Sequence, residues 1–403
     1  MPATPSRSPR TSASSGLAAT AAPETLAWLR AQTDAMVELL SRLARAESPS
    51  LDPASQRDAF AILAAELEAL GYRVRALAGA GAGDHLYARP ARRGSGPYQL
   101  VVGHLDTVWP LGSTEEMPVR REGDLLYGPG VLDMKGGLVQ ALFALRTLRE
   151  LGVEPAVTPV LLVTSDEEIG SRTSLRWLER LAAGADRALI LEAAFGSAGA
   201  LKTARKGTGW FRITVRGRAA HAGVSPEEGL SAILELSHVI QSLFALNDPE
   251  RGVTVNVGQV DGGLRPNVVA PVAQALVDVR VPTRQAAEEV EAAINALRPT
   301  VPGVTIEVDG RMTRPPMEAT PRNRLLWDEA VRAAGRLGLP LAQATVGGAS
   351  DGNYTSMYTA TLDGLGPVGE GAHAHHEHVV VPSLPERAAL LAELLLAGPL
   401  PRP

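Results

Sequence analysis

Five stretches of this chain set imidazoles and carboxylates where they could hold cations, most of them at the ends of apolar runs. His104-Leu-Asp106 closes residues 98–103, and Asp133 stands between Gly128-Pro-Gly130 and Gly136-Gly137. Asp166-Glu167-Glu168 and Glu192 close two further runs, and residues 369–378 carry His373, His375, His376 and His378. Two apart on an extended segment, His104 and Asp106 share a face. A neutral imidazole binds metal through one nitrogen while a carboxylate holds its other N–H, the part open to Asp106. Adjacent Glu167 and Glu168 diverge on an extended segment, which leaves Glu168 as a ligand and Glu167 as a general base facing a substrate. Neighbouring carboxylates repel, and a dication stabilises them. Singly, each stretch has a plainer explanation: a strand-end His-x-Asp, an Asp capping a helix, a solvated acidic turn, a Glu paired with an Arg. Together they point to two metal ions at one rim, with Asp133 bridging them. Spacing does not choose among the four histidines of residues 369–378.

Composition narrows the chemistry. With no cysteine among 403 residues, any transition metal is held by oxygen and imidazole, which favours zinc, manganese or cobalt over softer ions. A formal charge of -5 and the lack of a long basic run argue against nucleic acid as a partner. The apolar share of 45% and the charged share of 21% are those of a globular protein. Residues 1–22 lack the apolar core of a signal peptide, and no segment reaches membrane-spanning length. The expectation is a cytoplasmic protein with a disordered tail over 1–22 and no membrane partner. The glycines at 79, 81 and 83 do not fit GxGxxG and carry no nucleotide-binding weight.

The elements that must position these residues follow from periodicity. Helical spacing runs over 24–46 and 55–70. Strands are expected at 73–77 and, as buried ones, at 98–103, 157–164 and 187–191, separated by helices such as 138–150. That pattern predicts an α/β fold, a largely parallel sheet covered on both faces, with its site at the carboxyl ends of the strands. From Lys206 the pattern changes. Strands at 209–217, 254–260, 268–281 and 304–308, with helices at 226–245 and 286–297, read as the split β-α-β-β-α-β unit of ferredoxin-like folds. Helices at 323–337 and 387–396 and a strand at 340–345 then resume the first pattern. The chain divides into a catalytic domain of residues 23–205 plus 315–403 and an inserted α+β lid of residues 206–314, with both hinges close in space.

The stretches GHLDTV (103–108), GPGVLDMKGG (128–137), TSDEEIGS (164–171) and LEAA (191–194), with HAGVSPEEGLSAI (221–233) and RPNVVA (265–270) in the lid, resemble the M20 metallopeptidases, most of all the glutamate carboxypeptidase branch. The resemblance spans nearly everything after residue 24. It implies two zinc ions, or cobalt or manganese, one on His104, Asp133 and Glu192 and the other on Asp133, Glu168 and His373. His373 is the choice because GAHAHHEHV matches the family's Gly-x-His-x-x-x-Glu-x-Val ending. The resemblance further implies Glu167 as the base that activates water, Asp106 beside His104, and a cis peptide after Asp133. It implies a homodimer formed through the lid, with His221 reaching the partner's site and Asn267 beside it as a polar substrate contact. Arg280 and the loop 347–353, including Gly348 and Ser350, would hold a substrate carboxylate; for Arg280 the alternative is an ion pair with Asp278. The implied reaction cleaves a peptide or N-acyl amide bond to release a C-terminal amino acid, with an acidic residue the first expectation and N-acyl-amino-acid deacylation or dipeptide hydrolysis the alternative.

Overall fold

The computed structural model describes residues 14–92, 94 and 96–401. Leu100-Val-Val102, Val160-Leu-Leu-Val163 and Ala188-Leu-Ile190 are apolar at every position and buried at every position, as strands covered on both faces must be. They belong to three parallel neighbours. Tyr98–His104 lies between Thr158–Thr164 and Arg187–Ile190, with Val102 opposite both Leu162 and Ile190. Ala360–Leu362 continues the parallel half beyond Arg187–Ile190. At the other edge, His85–Pro90 and Tyr72–Leu77 join antiparallel, completing six strands.

Alternate residues of these strands feed two cores. Val101, Leu161, Val163 and Leu189 pack with helices Gly136–Glu150 and Ser383–Leu396. Leu100, Val102, Leu162 and Ile190 pack with Leu178 and Ala182 of helix Leu175–Ala182 and with Tyr354. The fold is therefore α/β with helices on both faces, and the sheet is mixed. The antiparallel strand His85–Pro90 has no long apolar run, which is why periodicity passes over it.

The second unit has its own core. Strands Gly207–Arg216, Thr254–Gly262, Val272–Val281 and Thr305–Arg314 form a wholly antiparallel sheet with Thr254–Gly262 at one edge. One face, with Phe211, Ile213, Val215, Val277 and Val279, is covered by helices Ala232–Phe244 and Arg284–Asn295. The chain order is β-α-β-β-α-β. The first helix starts later than its pattern suggests: Pro226–Glu228 is a 3-10 turn, and Ser231 caps the helix by accepting from Leu234 N at 3.2 Å. The third strand begins at Val272, just past Pro271, which has no N–H to pair. Arg205 and Met317 lie at the two crossings between the units and pair with each other, N to O at 2.9 and 3.0 Å.

Of the tail expected over 1–22, residues 1–13 lie outside the described residues, and 14–22 form half of the helix Ser14–Ala31. Its alanines have the strongest helix propensity, and Ala22, Leu26 and Leu29 are buried in the larger core. Among the described residues no helix is long and apolar enough to cross a membrane.

Candidate active site

Three parallel strands deliver four of the acidic and imidazole groups to one rim. His104 is the last residue of its strand. Glu167 and Glu168 follow Thr158–Thr164 in a 3-10 turn, and Glu192 lies two residues beyond Arg187–Ile190. Asp133 comes from a corner rather than a strand. Gly130 takes φ 72° there, and a Cβ on it would sit 2.7 Å from the Thr107 methyl. The Asp133–Met134 peptide is cis. At Gly137 a Cβ would meet the Leu191 carbonyl oxygen at 2.1 Å, so only glycine lets helix Gly136–Glu150 start against the segment that carries Glu192.

The two oxygens of Asp133 face two imidazoles. Oδ1 is 3.2 Å from His104 Nε2, and Oδ2 is 3.3 Å from His373 Nε2. His104 Nε2 also lies 3.5 Å from Glu192 Oε1, and His373 Nε2 lies 3.3 Å from Glu168 Oε2. His104, Asp133 and Glu168 each offer a donor atom within 4.8 Å of the others. Of the four neighbouring histidines, His373 brings its ring to the carboxylates, from a backbone at φ 60°. His375 stands edge-on to Trp109, and His378 lies tilted against Tyr127 with its Nδ1 on the His376 carbonyl.

The electrostatics are those of a cation site. Burial pushes the Asp133 carboxyl up, but His104 and His373 outweigh it and hold it far below the usual carboxylate range. Hydrogen bonds to Asp133 and Glu168 raise His373 to about 10. Burial works against a proton on His104, yet Asp106, Asp133 and Glu192 raise it well above its ordinary value. Burial raises Glu168, and its Oε1 is buried without a hydrogen-bond partner. An orphaned carboxylate oxygen beside two imidazoles and a shared carboxylate fits a dication, and the all-oxygen-and-nitrogen donor set fits zinc, cobalt or manganese.

Asp106 plays a wider part than its spacing suggests. His104 Nδ1 lies 2.9 Å from the Asp106 backbone carbonyl and 3.5 Å from the carboxylate. The carboxylate instead accepts from Ser50 Oγ at 2.7 Å and from the backbone N–H groups of Glu167 and Glu168, both at 3.2 Å. It thereby joins two ligand-bearing segments.

Glu167 points to a residue that spacing passes over. Arg314, the last residue of strand Thr305–Arg314, donates to Glu167 Oε1 at 2.5 Å, to the Glu167 carbonyl at 2.7 Å and to Ser171 Oγ at 3.1 Å. Burial raises Glu167 to about 8, against the pull of Arg314. A base poised near neutrality is what proton transfer needs. The sequence marks Arg314 only as a boundary, in Arg314-Pro-Pro. Lys202 was also passed over. It is 9% exposed, and among the described residues it pairs with no carboxylate. Burial lowers its pKa, and Arg205 beside it lowers it further, against Asp363, Glu192 and Asp133.

The expected substrate contacts are placed less favourably. Ser350 caps a short helix; its Oγ donates to Asp363 at 2.6 Å and accepts from Gly352 N at 3.0 Å, so its hydroxyl is engaged. The Gly348 carbonyl accepts from Arg205 at 3.1 Å, and Arg205 in turn grips Asp363 through two bonds of 2.8 and 2.9 Å. Arg280 forms a two-bond pair with Asp278 at 2.8 and 3.0 Å, so within one chain the ion-pair alternative describes it. His221 and Asn267 are exposed neighbours in the second unit, joined by Ala222 N to the Asn267 carbonyl at 3.0 Å. Among the described residues, neither has a hydrogen bond or ion pair to the carboxylate cluster.

The chain matches known proteins over the same span. Residues 100–397 match peptidase family M20/M25/M40. Carboxypeptidase G2 of Pseudomonas sp. (strain RS-16) is 30% identical over 375 residues, 90% of this chain and 89% of that protein. A succinyl-diaminopimelate desuccinylase of Alkalilimnicola ehrlichii is 29% identical over 364 residues, 85% of this chain and 93% of that one. In structure, the YXEP protein of Bacillus subtilis, described as a dinuclear metal-binding peptidase of the M20 family, superposes with a TM-score of 0.66 at 15% identity, over 91% of this chain and 98% of that one. This chain is therefore a member of peptidase family M20/M25/M40 and a hydrolase of its peptidase and amidohydrolase type.

Proposed function

We propose that this chain is a two-metal hydrolase that cleaves a peptide or N-acyl amide bond and releases a C-terminal amino acid, an acidic one first. The observation that carries the reading is the arrangement at Asp133, which turns one oxygen to His104 and the other to His373. His104, Asp133 and Glu192 would hold one ion, and Asp133, Glu168 and His373 the other. Two dications there, zinc or in its place cobalt or manganese, would polarise the scissile carbonyl and lower the pKa of water.

Glu167 takes the proton from the attacking water and passes it to the leaving nitrogen. Asp106 holds the backbone of Glu167 and Glu168 in place. Arg314 orients the Glu167 carboxylate from the end of the second unit. Lys202, a buried cation lacking an ion-pair partner among the described residues, supports a substrate that carries a carboxylate. So does the similarity to carboxypeptidase G2. The similarity to a desuccinylase keeps N-acyl hydrolysis as the second reading, and a substrate of either kind can carry a carboxylate for Lys202 to meet.

Residues 206–314 act in this reading as an inserted lid and dimerisation unit. Their sheet ends on the free edge strand Thr254–Gly262, and Ile233, Leu234, Phe244 and Val260 are exposed on the same unit. A second copy would cover these groups and bring His221 of the partner subunit to the oxyanion, with Asn267 beside it.

The first test is Glu167→Gln. It should retain two ions per chain and lose about 10²–10⁴-fold in turnover, the usual worth of a general base; turnover at the wild-type rate rejects Glu167. Substrate class is decided by assaying free amino acid release from N-acyl amino acids and dipeptides after loading with zinc, cobalt or manganese. Preference for Glu or Asp at the leaving end supports the carboxypeptidase reading, and preference for the acyl group regardless of that residue supports the deacylase.

A further inference from the structure

Glu377 is a carboxylate 1% exposed, and among the described residues it forms no ion pair. Its oxygens collect four N–H groups instead. Oε2 accepts from Trp109 Nε1 and from Gly130 N, both at 2.9 Å. Oε1 accepts from Leu132 N at 2.9 Å and Asp133 N at 3.1 Å. Three of these donors are backbone groups of the corner that presents Asp133. A buried backbone N–H without a partner is costly, and Glu377 satisfies three at once. Its own carbonyl accepts from Gly128 N at 3.3 Å, at the start of the same corner.

Glu377 also belongs to the segment that carries His373. Its N–H donates to the Ala374 carbonyl at 2.9 Å, and Ala374 N donates to Gly371 at 2.8 Å, so residues 371–377 form a tight turn with His373 inside it. The other strand-borne groups need no such support, because His104 and Glu192 issue from the paired strands of the large sheet. Asp133 and His373 issue from irregular segments. Those segments meet through Glu377 and through the short pairing of His378–Val380 with Leu125–Tyr127.

We propose that Glu377 is a positioning residue that locks the Asp133 corner to the His373 turn, so that the ion held by Asp133, Glu168 and His373 depends on it more than the ion held by His104, Asp133 and Glu192. This rests on the two-metal reading above. In Glu377→Gln the shape is kept, but the amide NH2 must face two N–H donors on whichever side it lies, and the corner loses its acceptor there.

The test is zinc binding to the metal-free protein, followed by calorimetry and equilibrium dialysis, with thermal unfolding of the metal-free forms as a control. Wild type should take up two ions. Glu377→Gln should bind the first with the wild-type constant and the second about 10–100-fold more weakly, the usual effect of losing a group that orients a ligand. His373→Ala serves as the reference for loss of that same ion. Two ions bound by Glu377→Gln with wild-type affinities overturn the proposal, as does equal weakening of both, which marks a merely structural group. If Glu377→Gln does not fold, Trp109→Phe decides. It removes one of the four donors and should weaken the second ion by less than about tenfold, with an unchanged second constant counting against the proposal. Wild type that binds fewer than two ions sinks the two-metal reading itself, and this inference with it.

Discussion

Single atoms carry most of the chemistry of this site. Asp133 turns one oxygen to each of two imidazoles, and each imidazole touches a further carboxylate. In the metal-free molecule the imidazoles act as the cations. His373 is raised to about 10 by Asp133 and Glu168, and Asp106, Asp133 and Glu192 overcome burial to raise His104. A dication must displace those protons, since only a neutral imidazole ligates. The sign follows: binding at neutral pH releases protons, and metal affinity climbs as pH rises towards about 10. Calorimetry of zinc binding in two buffers of different ionisation enthalpy should return about two protons released per chain at pH 7. No release would mean that the imidazoles are already neutral. The same linkage gives the stability of the metal-free fold its pH dependence. The share due to His373 is present in full below about 6.5, its unfolded value, and is lost as pH rises through about 10.

At the scale of elements, the site is made by strand ends and by the loops that reach across to them. The strand ends were legible because a run such as Leu100-Val-Val102 is buried on both faces and the polar residue after it must lie at a rim. Strand His85–Pro90 was not legible, because its sequence His-Leu-Tyr-Ala-Arg-Pro is a short mix of polar and apolar residues with neither a continuous apolar run nor a clean alternation, although it pairs on both sides. Helix Ala232–Phe244 starts later than expected because Ser231, rather than Pro226, meets its first free N–H groups. Arg314 shows what an element contributes from a distance. It closes strand Thr305–Arg314 of the second sheet and binds Glu167 beside the first. A guanidinium beside a carboxylate lowers its pKa. Arg314→Gln should therefore move the acid limb of the pH profile of kcat/KM to higher pH and lower the plateau. An unmoved limb with normal metal content would show that Arg314 does not tune the base. Ser171→Ala, which removes an acceptor of Arg314, should shift the limb in the same direction by less.

At the scale of the whole molecule, two units with separate cores meet at the paired crossings of Arg205 and Met317. His221 lies in the second unit, exposed and with no hydrogen bond or ion pair to the carboxylate cluster among the described residues. If the partner subunit supplies it, mixing inactive His221→Ala with inactive Glu167→Gln should restore part of the activity, through mixed dimers with one intact site. No recovery after demonstrated subunit exchange would reject a shared site. Sedimentation should also give a dimer, and charged substitutions at Leu234 and Val260, both exposed, should dissociate it.

The sequence by itself determined the donor types, the absence of thiolate ligands and the placing of His104, Glu167, Glu168 and Glu192 at strand ends, because burial periodicity is local and survives in one dimension. The match to the family's ending pointed to His373, and the ion pair with Asp278 was the stated alternative for Arg280; only the tertiary structure decided that Arg314 and Glu377 stand behind Glu167 and Asp133. Those are contacts between segments up to 247 residues apart. Such contacts depend on how irregular loops dock, and no repeat in the chain encodes that.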